Sequence, residues 1–158
     1  MELEEIMKEF AAEIGIEGVA AADDGAYHFD IDGISVMFAS NGDGTKIGMY
    51  AEIGEPPSEG RAIVYRAILE AMPAGAEFDG NVFSVMRGSD RIVLSRSDPL
   101  ALTDYAVFKT RLENLVNMAE DWRRNISEFP ALYGKVQSAM TTAKEAEREF
   151  SQNGFMQV

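Results

Sequence analysis

The fold is decided by the stretch from Tyr27 to Ile53, which reads YHFDIDGISVMFASNGDGTKIGMYAEI. Apolar and polar residues alternate along it with a period of two, the pattern of strands that bury one face. The alternation breaks at Gly33 and again at residues 41–44, where the residue types tolerate the backbone angles of tight turns. The stretch therefore predicts three consecutive antiparallel strands joined by two hairpin turns.

Helical periodicity flanks this meander on both sides. Upstream, apolar residues three and four positions apart predict a first helix over about residues 2–14, which Gly15 ends. Downstream, Pro56-Pro57 ends the strands, and a second helix is predicted over about residues 59–72 with apolar residues around more than half of its circumference. Such a helix has more to bury than one sheet face covers, which favours a subunit interface. The stripe of the first helix consists of Leu3, Ile6, Met7, Phe10 and Ile14.

The remaining chain adds two strands and a long helix. Strands are predicted over residues 82–87 and 91–95 with a tight turn between them, and a third helix is predicted from a cap at Thr103 or Asp104 to about Ile126. The order α-β-β-β-α-β-β-α predicts an α+β fold in which a twisted antiparallel sheet packs against helices. Phe129-Pro130 marks the end of the compact domain, so we expect a domain over residues 1–126 and a C-terminal tail, partly helical or flexible, over residues 127–158.

Composition limits the functions open to this chain. Its 14 basic and 27 acidic residues give a net charge of −13, which disfavours binding to nucleic acid or to anionic membranes. No apolar run has the roughly 18 residues of a membrane span, and the N-terminal residues are acidic where a secretory signal is basic, so we expect a cytoplasmic protein. Cysteine is absent and histidine occurs once, so we expect no cofactor, no metal and no catalysis.

Two short segments of the sequence resemble a calcium-binding loop and a general base with a neighbouring carboxylate. Asp30-Ile31-Asp32-Gly33 could begin a calcium loop, but an EF-hand needs an oxygen ligand at its fifth position and Glu at its twelfth, which here are Ile34 and Asn41. The simpler interpretation is a solvated strand face followed by a turn. His28 lies beside Asp30 on the polar side of its strand, but no second histidine or identifiable nucleophile accompanies it.

Three segments together resemble a known family. They are Tyr27 to Asp32 followed by Gly33, the strands leading to Glu52-Ile53-Gly54-Glu55-Pro56-Pro57, and the long C-terminal helix preceded by Arg91-Ile92-Val93-Leu94-Ser95. In element order, length and acidity, residues 1–126 are similar to the class I type III secretion chaperones of the Tir chaperone (CesT-like) family.

The resemblance implies a homodimer and a secreted effector as partners. The subunits of such a dimer would meet through the second helix and the strand after it, Arg61 to Met72 and Val82 to Met86. An extended segment near the effector's N-terminus would wrap around the dimer, which keeps the effector soluble and secretion-competent. The apolar side chains of this segment would bind in grooves formed by the first helix and the sheet, and a strand of the effector would add to a sheet edge. The candidate dimer-interface residues are Val64, Tyr65, Ile68, Leu69, Val82, Ser84 and Met86. The candidate effector-binding residues are Leu3, Met7, Phe10, Met37, Met49 and Tyr50.

Several alternatives remain open at this point. The stripe of the first helix either packs on the domain's own sheet or borders a client groove, and the nine methionines favour an adaptable binding surface. Trp122 either packs in the core or anchors a partner. As to function, the chain could instead be a stress or regulatory protein of the YbjN-like type, or a small hydrolase or metal-dependent enzyme.

Overall fold

The computed structural model describes residues 2–72 and 78–154. Within these residues the elements follow the predicted order, with one additional 3₁₀ turn before the last helix. The predicted α+β arrangement is therefore confirmed. The helices are α1 (Leu3–Glu13), α2 (Arg61–Ala71) and α3 (Tyr105–Gly154); the strands are β1 (Tyr27–Ile31), β2 (Ile34–Ser40), β3 (Lys46–Gly54), β4 (Val82–Val85) and β5 (Ile92–Pro99); and the 3₁₀ turn is Leu100–Leu102.

The five strands form one antiparallel sheet in the order β1-β2-β3-β5-β4. The three predicted hairpins, β1–β2, β2–β3 and β4–β5, are all present. The pairing of β3 with β5 joins the two sets of strands, and it leaves β1 and β4 at the edges. An edge strand presents unpaired backbone amides and carbonyls, so both ends of the sheet are open to further pairing.

The β1–β2 hairpin shows why its sequence turns where it does. Ile31 and Ile34 are directly paired, so the loop has two residues, Asp32 and Gly33, at φ of 52° and 77°. This left-handed pair is the geometry that matches the twist of the flanking strands, and Gly adopts it without steric cost. The Asp30 carboxylate accepts a hydrogen bond from the Gly33 amide at 3.0 Å, so it serves the turn.

The second turn, residues 41–45, is held by its own polar side chains. The Asp43 carboxylate accepts hydrogen bonds from the Thr45 amide at 2.9 Å and the Thr45 hydroxyl at 2.5 Å, and the Asn41 side chain accepts one from the Lys46 amide at 2.8 Å. The two hydrogen bonds from Thr45, with that of the hydroxyl the stronger, lower the pKa of Asp43. This Asn-Gly-Asp-Gly stretch is the predicted hairpin turn.

One face of the sheet forms the core beneath α1 and α3. Four aromatic rings meet at its centre, with Phe38 on β2 at 5.4 Å from Phe108 on α3 and at 5.7 Å from Phe29 on β1. Phe10 of α1 lies 5.1 Å from Phe29 and 5.8 Å from Phe108, so α1 and α3 share the same sheet face. A second aromatic group joins Trp122 of α3 to Phe83 of β4 at 4.9 Å. Trp122 thus packs against the core, one of the two roles considered for it.

β5 runs to Pro99, past the predicted end at residue 95. The prediction stopped early because the last residues on the core face of the strand are charged. Arg96 and Asp98 interrupt the apolar alternation, but their side chains pair at 2.7 Å (Arg96 Nε to Asp98 Oδ2). Arg111 of α3 reaches the same carboxylate at 3.2 Å and donates to the Thr103 hydroxyl at 3.1 Å. Pairing compensates the desolvation of these groups, so the strand continues to Pro99.

α3 also continues past its predicted end. Asp104 caps it by accepting a hydrogen bond from the Val107 amide at 2.8 Å, as one of the two predicted caps. The sequence analysis ended this helix at about Ile126, whereas it runs on through Pro130 to Gly154. Proline lacks the amide that would bond to the Ile126 carbonyl, yet residues on both sides favour helix. The described part of the expected tail, residues 127–154, is thus helical, and residues 155–158 lie outside the described residues. None of the described helices is apolar enough over a sufficient length to span a membrane.

Candidate functional site

The candidate dimer surface lies where α2 meets the edge strand β4. Leu69 projects outward from α2 and is 69% exposed, and Val85 and Met86 at the end of β4 are also exposed. A small apolar cavity of about 90 Å³ opens between the helix and the strand, lined by Tyr65 and Leu69 among others. The exposed and half-buried apolar residues of α2 and of the β4 edge form a surface that we call the α2–β4 patch; Val85 lies on the α2 side of the strand, and Val82 and Met86 point to the opposite side of the sheet. The patch comprises Tyr65, Leu69, Val82, Val85 and Met86.

The predicted interface residues divide into two groups in the structure. Val64 and Ile68 are only 1% and 5% exposed, because they lie on the inner side of α2 and belong to the subunit's own core. The other five lie at the surface or are half-buried: Tyr65, Leu69, Val82, Ser84 and Met86. Val85 belongs to the patch although the sequence analysis did not name it, and its place at the end of an edge strand could have indicated it.

A polar clamp holds the β4–β5 hairpin against α2. Arg61 Nη1 contacts Asp90 Oδ2 at 2.6 Å, and its guanidinium also donates to the Pro56 carbonyl at 3.3 Å. The Tyr65 hydroxyl donates to the Asp90 carbonyl at 2.7 Å. Burial, followed by the Asp90 charge, raises the pKa of Tyr65, which therefore stays protonated as this bond requires. The clamp fixes the relative positions of helix and strand in the α2–β4 patch.

The candidate effector-binding residues of α1 are buried in the subunit. Leu3, Met7 and Phe10 are at most 8% exposed, and Phe10 sits in the aromatic core. Leu3 and Met7 pack on the domain's own sheet, the first of the two alternatives considered for this stripe, whereas Phe10 and Ile14 also border a groove. A role of Leu3, Met7 and Phe10 in effector binding stays a prediction.

The three candidates on the sheet do not share a face. Met49 lies on the core face and is fully buried, whereas Met37 and Tyr50 form a cross-strand pair on the opposite face, where Tyr50 is exposed. Met49 and Tyr50 are adjacent in a strand, so they must point in opposite directions. The Tyr50 ring lies flat along β3 over Gly48, where an added Cβ would come within 2.7 Å of the ring. Glycine at this position leaves the ring room to lie against the sheet.

A second apolar surface lies between the end of α1, the β1–β2 hairpin and α3. It is an open groove of about 420 Å³. Ile14 and Ile16 stand on its wall with 44% and 46% of their surfaces exposed. Ile16 falls three residues past the end of α1, outside the periodic stripe, which is why the pattern did not reveal it. The apolar residues of this groove, which we call the α1–α3 groove, are Phe10, Ile14, Ile16, Ile31, Leu112 and Val116.

The mouth of the groove is fixed by a contact between α1 and α3. Glu13 at the end of α1 accepts hydrogen bonds from Lys109 Nζ at 2.5 Å and from the Tyr105 hydroxyl at 2.6 Å. Lys109, followed by Tyr105, lowers the pKa of Glu13, so this carboxylate is ionised at neutral pH. Burial, followed by the bond to Glu13, raises the pKa of Tyr105. The helices are thereby held together across the floor formed by Phe10.

His28 and the acidic residues are the side chains that could hold a metal ion or transfer a proton. Within residues 2–72 and 78–154 there is no cluster of three or more His, Asp or Glu side chains that could hold a metal ion. His28 lies 3.4 Å from Asp24, and both side chains are about half exposed. The features that remain are the two apolar surfaces on a chain of net charge −13. Large uncovered apolar patches with polar rims mark surfaces that bind other polypeptides.

Comparison with known families agrees with a polypeptide-binding protein. The sequence matches the Tir chaperone protein (CesT) family over residues 5–123, which is more than half of the chain. The chain belongs to this family, as the resemblance read from its sequence predicted. The match ends inside α3, so residues 127–158 lie beyond it. No curated protein sequence gives a significant match.

Solved structures share the fold. One is the ExsC–ExsE complex, with a TM-score of 0.70, 19% identity, and coverage of 80% of this chain and 98% of the matched chain. Another is the HopA1–SchA chaperone–effector complex, with a TM-score of 0.64, 14% identity, and coverage of 77% and 92%. A third is the ExoU–SpcU complex from the type III secretion system of Pseudomonas aeruginosa, with a TM-score of 0.59, 13% identity, and coverage of 75% and 95%. The family match favours the chaperone interpretation over the YbjN-like alternative.

Proposed function

We propose that this protein is a type III secretion chaperone that works in the cytoplasm as a homodimer and binds an extended segment of a secreted effector without catalysis. The observation that carries the proposal is the pair of uncovered apolar surfaces, the α2–β4 patch and the α1–α3 groove, on a member of the Tir chaperone family. Among structures of the same fold is a chaperone–effector complex. The chaperone domain spans residues 1–126, and residues 127–158 are an appended segment.

The α2–β4 patch binds a second copy of the chain. Two-fold symmetry would bring the patch of one subunit against the same patch of its partner, which covers Leu69 and Val85 on both copies at once. The short edge strand β4, four residues long, has an unpaired side next to this patch. A subunit with this much exposed aliphatic surface gains stability and solubility by dimerising.

The α1–α3 groove takes apolar side chains of the effector. Asp30 and Ile31 of edge strand β1 line the groove, so an effector strand added to β1 would run beside it and direct alternate side chains into it. Burial of a few hundred Å² of apolar surface supplies several kcal/mol at about 25 cal/mol per Å² before ordering costs. Met37 and Tyr50 form a cross-strand pair on the opposite sheet face, and we expect them to contact the segment where it continues around the sheet.

The net charge of −13 lets such surfaces exist in an unbound protein. Like-charged molecules repel one another, which keeps a chaperone with uncovered apolar residues soluble until its client arrives. Binding and release then need no chemical step. The chaperone maintains the effector segment unfolded by competing with that segment's own collapse.

The test is to co-express the chain with the polypeptide encoded by the adjoining open reading frame and to measure co-purification. The Ile14→Asp/Ile16→Asp variant places charge on the groove wall and is expected to lose the client while remaining folded, because both residues are substantially exposed. The control is Leu102→Asp, which changes a leucine that is 72% exposed outside both surfaces. If the groove variant retained the client as fully as the control does, the groove would not be the binding site.

A further inference from the structure

The rim of the α1–α3 groove carries excess negative charge close to its apolar wall. Three exposed acidic side chains, Asp30, Asp32 and Glu113, stand around it. Asp30 accepts a hydrogen bond from the Gly33 amide within the hairpin turn, and the Glu113 charge is one of the lesser causes, after Glu13, that raise the pKa of Lys109. Among the described residues, none of the three is within ion-pair distance of a cation. Their charges therefore face the groove and the solvent.

The cations nearest to the rim offset only part of this charge. Lys109 lines the groove, but its ammonium is bound to Glu13 at 2.5 Å, so that pair is neutral. Arg123 contacts the hairpin turn, where its guanidinium donates to the Gly33 carbonyl at 2.5 Å. One arginine against three carboxylates leaves the rim negative. An apolar floor with such a rim favours an occupant that is itself apolar with basic flanks.

We propose that the α1–α3 groove selects client segments in which aliphatic side chains are flanked by Lys or Arg. This inference rests on the proposed chaperone function and adds the chemistry of the client. The aliphatic side chains bind against Ile14, Ile16 and Val116, and the flanking cations lie against Asp32 and Glu113 at the rim. Segments with Asp or Glu in the flanking positions are rejected because like charges at the rim repel them.

Electrostatics of exposed groups sets the expected size of the selection. One exposed ion pair changes an equilibrium constant by up to about fivefold. With three carboxylates at the rim, a lysine-flanked segment should bind about tenfold more tightly than its glutamate-flanked twin at low salt. The preference should shrink as salt is raised, because the screening length falls to about 3 Å at 1 M.

The test uses two fluorescent peptides and the full-length protein. Both peptides are unstructured and alternate leucine with serine; one carries lysines at the flanks, and its twin carries glutamates at the same positions. Fluorescence anisotropy gives the affinity ratio of the two peptides. The rim variant is Asp32→Asn/Glu113→Lys, in which Asn is chosen because it tolerates the left-handed backbone of residue 32.

The matched control makes the same change in net charge elsewhere on α3. It is Glu145→Lys/Glu149→Gln, at two exposed residues about 48 and 54 Å along the helix from Glu113 at 1.5 Å per residue. The wild type and this control should both prefer the lysine peptide about tenfold, and the rim variant should lose at least a factor of about three of that preference. If the control lost the preference for the lysine peptide while the rim variant kept it, the proposal would be overturned.

Two further outcomes separate this inference from the proposed function. If the adjoining-gene polypeptide co-purifies with the wild type, but the rim variant keeps the full peptide preference, charge selection at the rim is wrong and the chaperone function stands. If neither peptide binds and no polypeptide co-purifies, both are wrong. A lysine peptide whose leucines are replaced by serine must bind much more weakly, since otherwise the attraction is charge alone and the groove plays no part.

Discussion

Replacement of Leu69 by Asp should dissociate the proposed dimer. Leu69 is 69% exposed in the single subunit, and full burial of a leucine side chain is worth about 1.5–3 kcal/mol. Covering the exposed part thus contributes about 1–2 kcal/mol per subunit, and about 2–4 kcal/mol per dimer because a two-fold interface contains the residue twice. At 1.4 kcal/mol per factor of ten, loss of this burial raises the dissociation constant about 30- to 700-fold.

The introduced carboxylate adds to this effect, because it would be buried without a partner. Sedimentation velocity over a dilution series measures the dissociation constant directly. Leu102→Asp is the matched control, since Leu102 is 72% exposed but lies on the 3₁₀ turn outside the α2–β4 patch. The two variants should differ in assembly, while both remain folded. If Leu69→Asp dimerised as tightly as Leu102→Asp, the α2–β4 patch would not be the subunit interface.

Three further predictions concern the single subunit. Ile68→Asp should unfold it instead of merely separating two copies, because Ile68 is 5% exposed within the core, and loss of the native circular dichroism signal would show this. Phe38→Ala should lower the free energy of unfolding by about 3–5 kcal/mol in urea titrations, since Phe38 is fully buried among aromatic rings, and a loss below about 1 kcal/mol would contradict the packing described. Glu13→Gln should be less stable than the wild type at neutral pH, because the bond from Lys109 lowers the Glu13 pKa below its ordinary value of 4.5. The stability advantage of the wild type is full above pH 4.5 and disappears as the pH falls through the lowered pKa. An equal difference in stability at all pH values would refute this prediction.

Local patterns in the sequence are sufficient to predict the elements of this fold. The period of two from Tyr27 to Ile53 and the turn residues Asp32 and Gly33 act within a few residues of one another, so the hairpins can be read directly. The pairing of β3 with β5 depends on contacts between residues that are 38 (Gly54 and Ile92) to 53 (Lys46 and Pro99) positions apart. No local signal specifies that pairing, and it appeared only in the structure.

The predicted ends of β5 and α3 differ from those in the structure, and both differences have physical causes. β5 was predicted too short because Arg96 and Asp98 resemble a strand end, and only the fold shows that Arg111 helps to compensate them in the core. α3 was predicted too short because Pro130 resembles a helix stop. In both cases the residue type was informative about local preference, and tertiary contacts or flanking helix formers decided the outcome.

The candidate surfaces were harder to predict than the elements. The periodicity of the sequence identifies which side of α1 or α2 is apolar, but it does not say whether the subunit itself covers that side. Leu3, Met7 and Ile68 turned out to be covered, whereas Leu69 remains exposed one position further along α2. Ile16 lay outside any periodic segment, so only the fold shows it on the groove wall.

The central claim is that a dimer of this chain holds one effector polypeptide. The most direct measurement is the mass of the purified complex, by size-exclusion chromatography with light scattering, after co-expression with the adjoining open reading frames. The expected mass is that of two 17.3 kDa subunits plus one polypeptide encoded by a neighbouring gene. A monomer with no bound polypeptide would contradict the claim and would instead favour a regulatory protein of the same size.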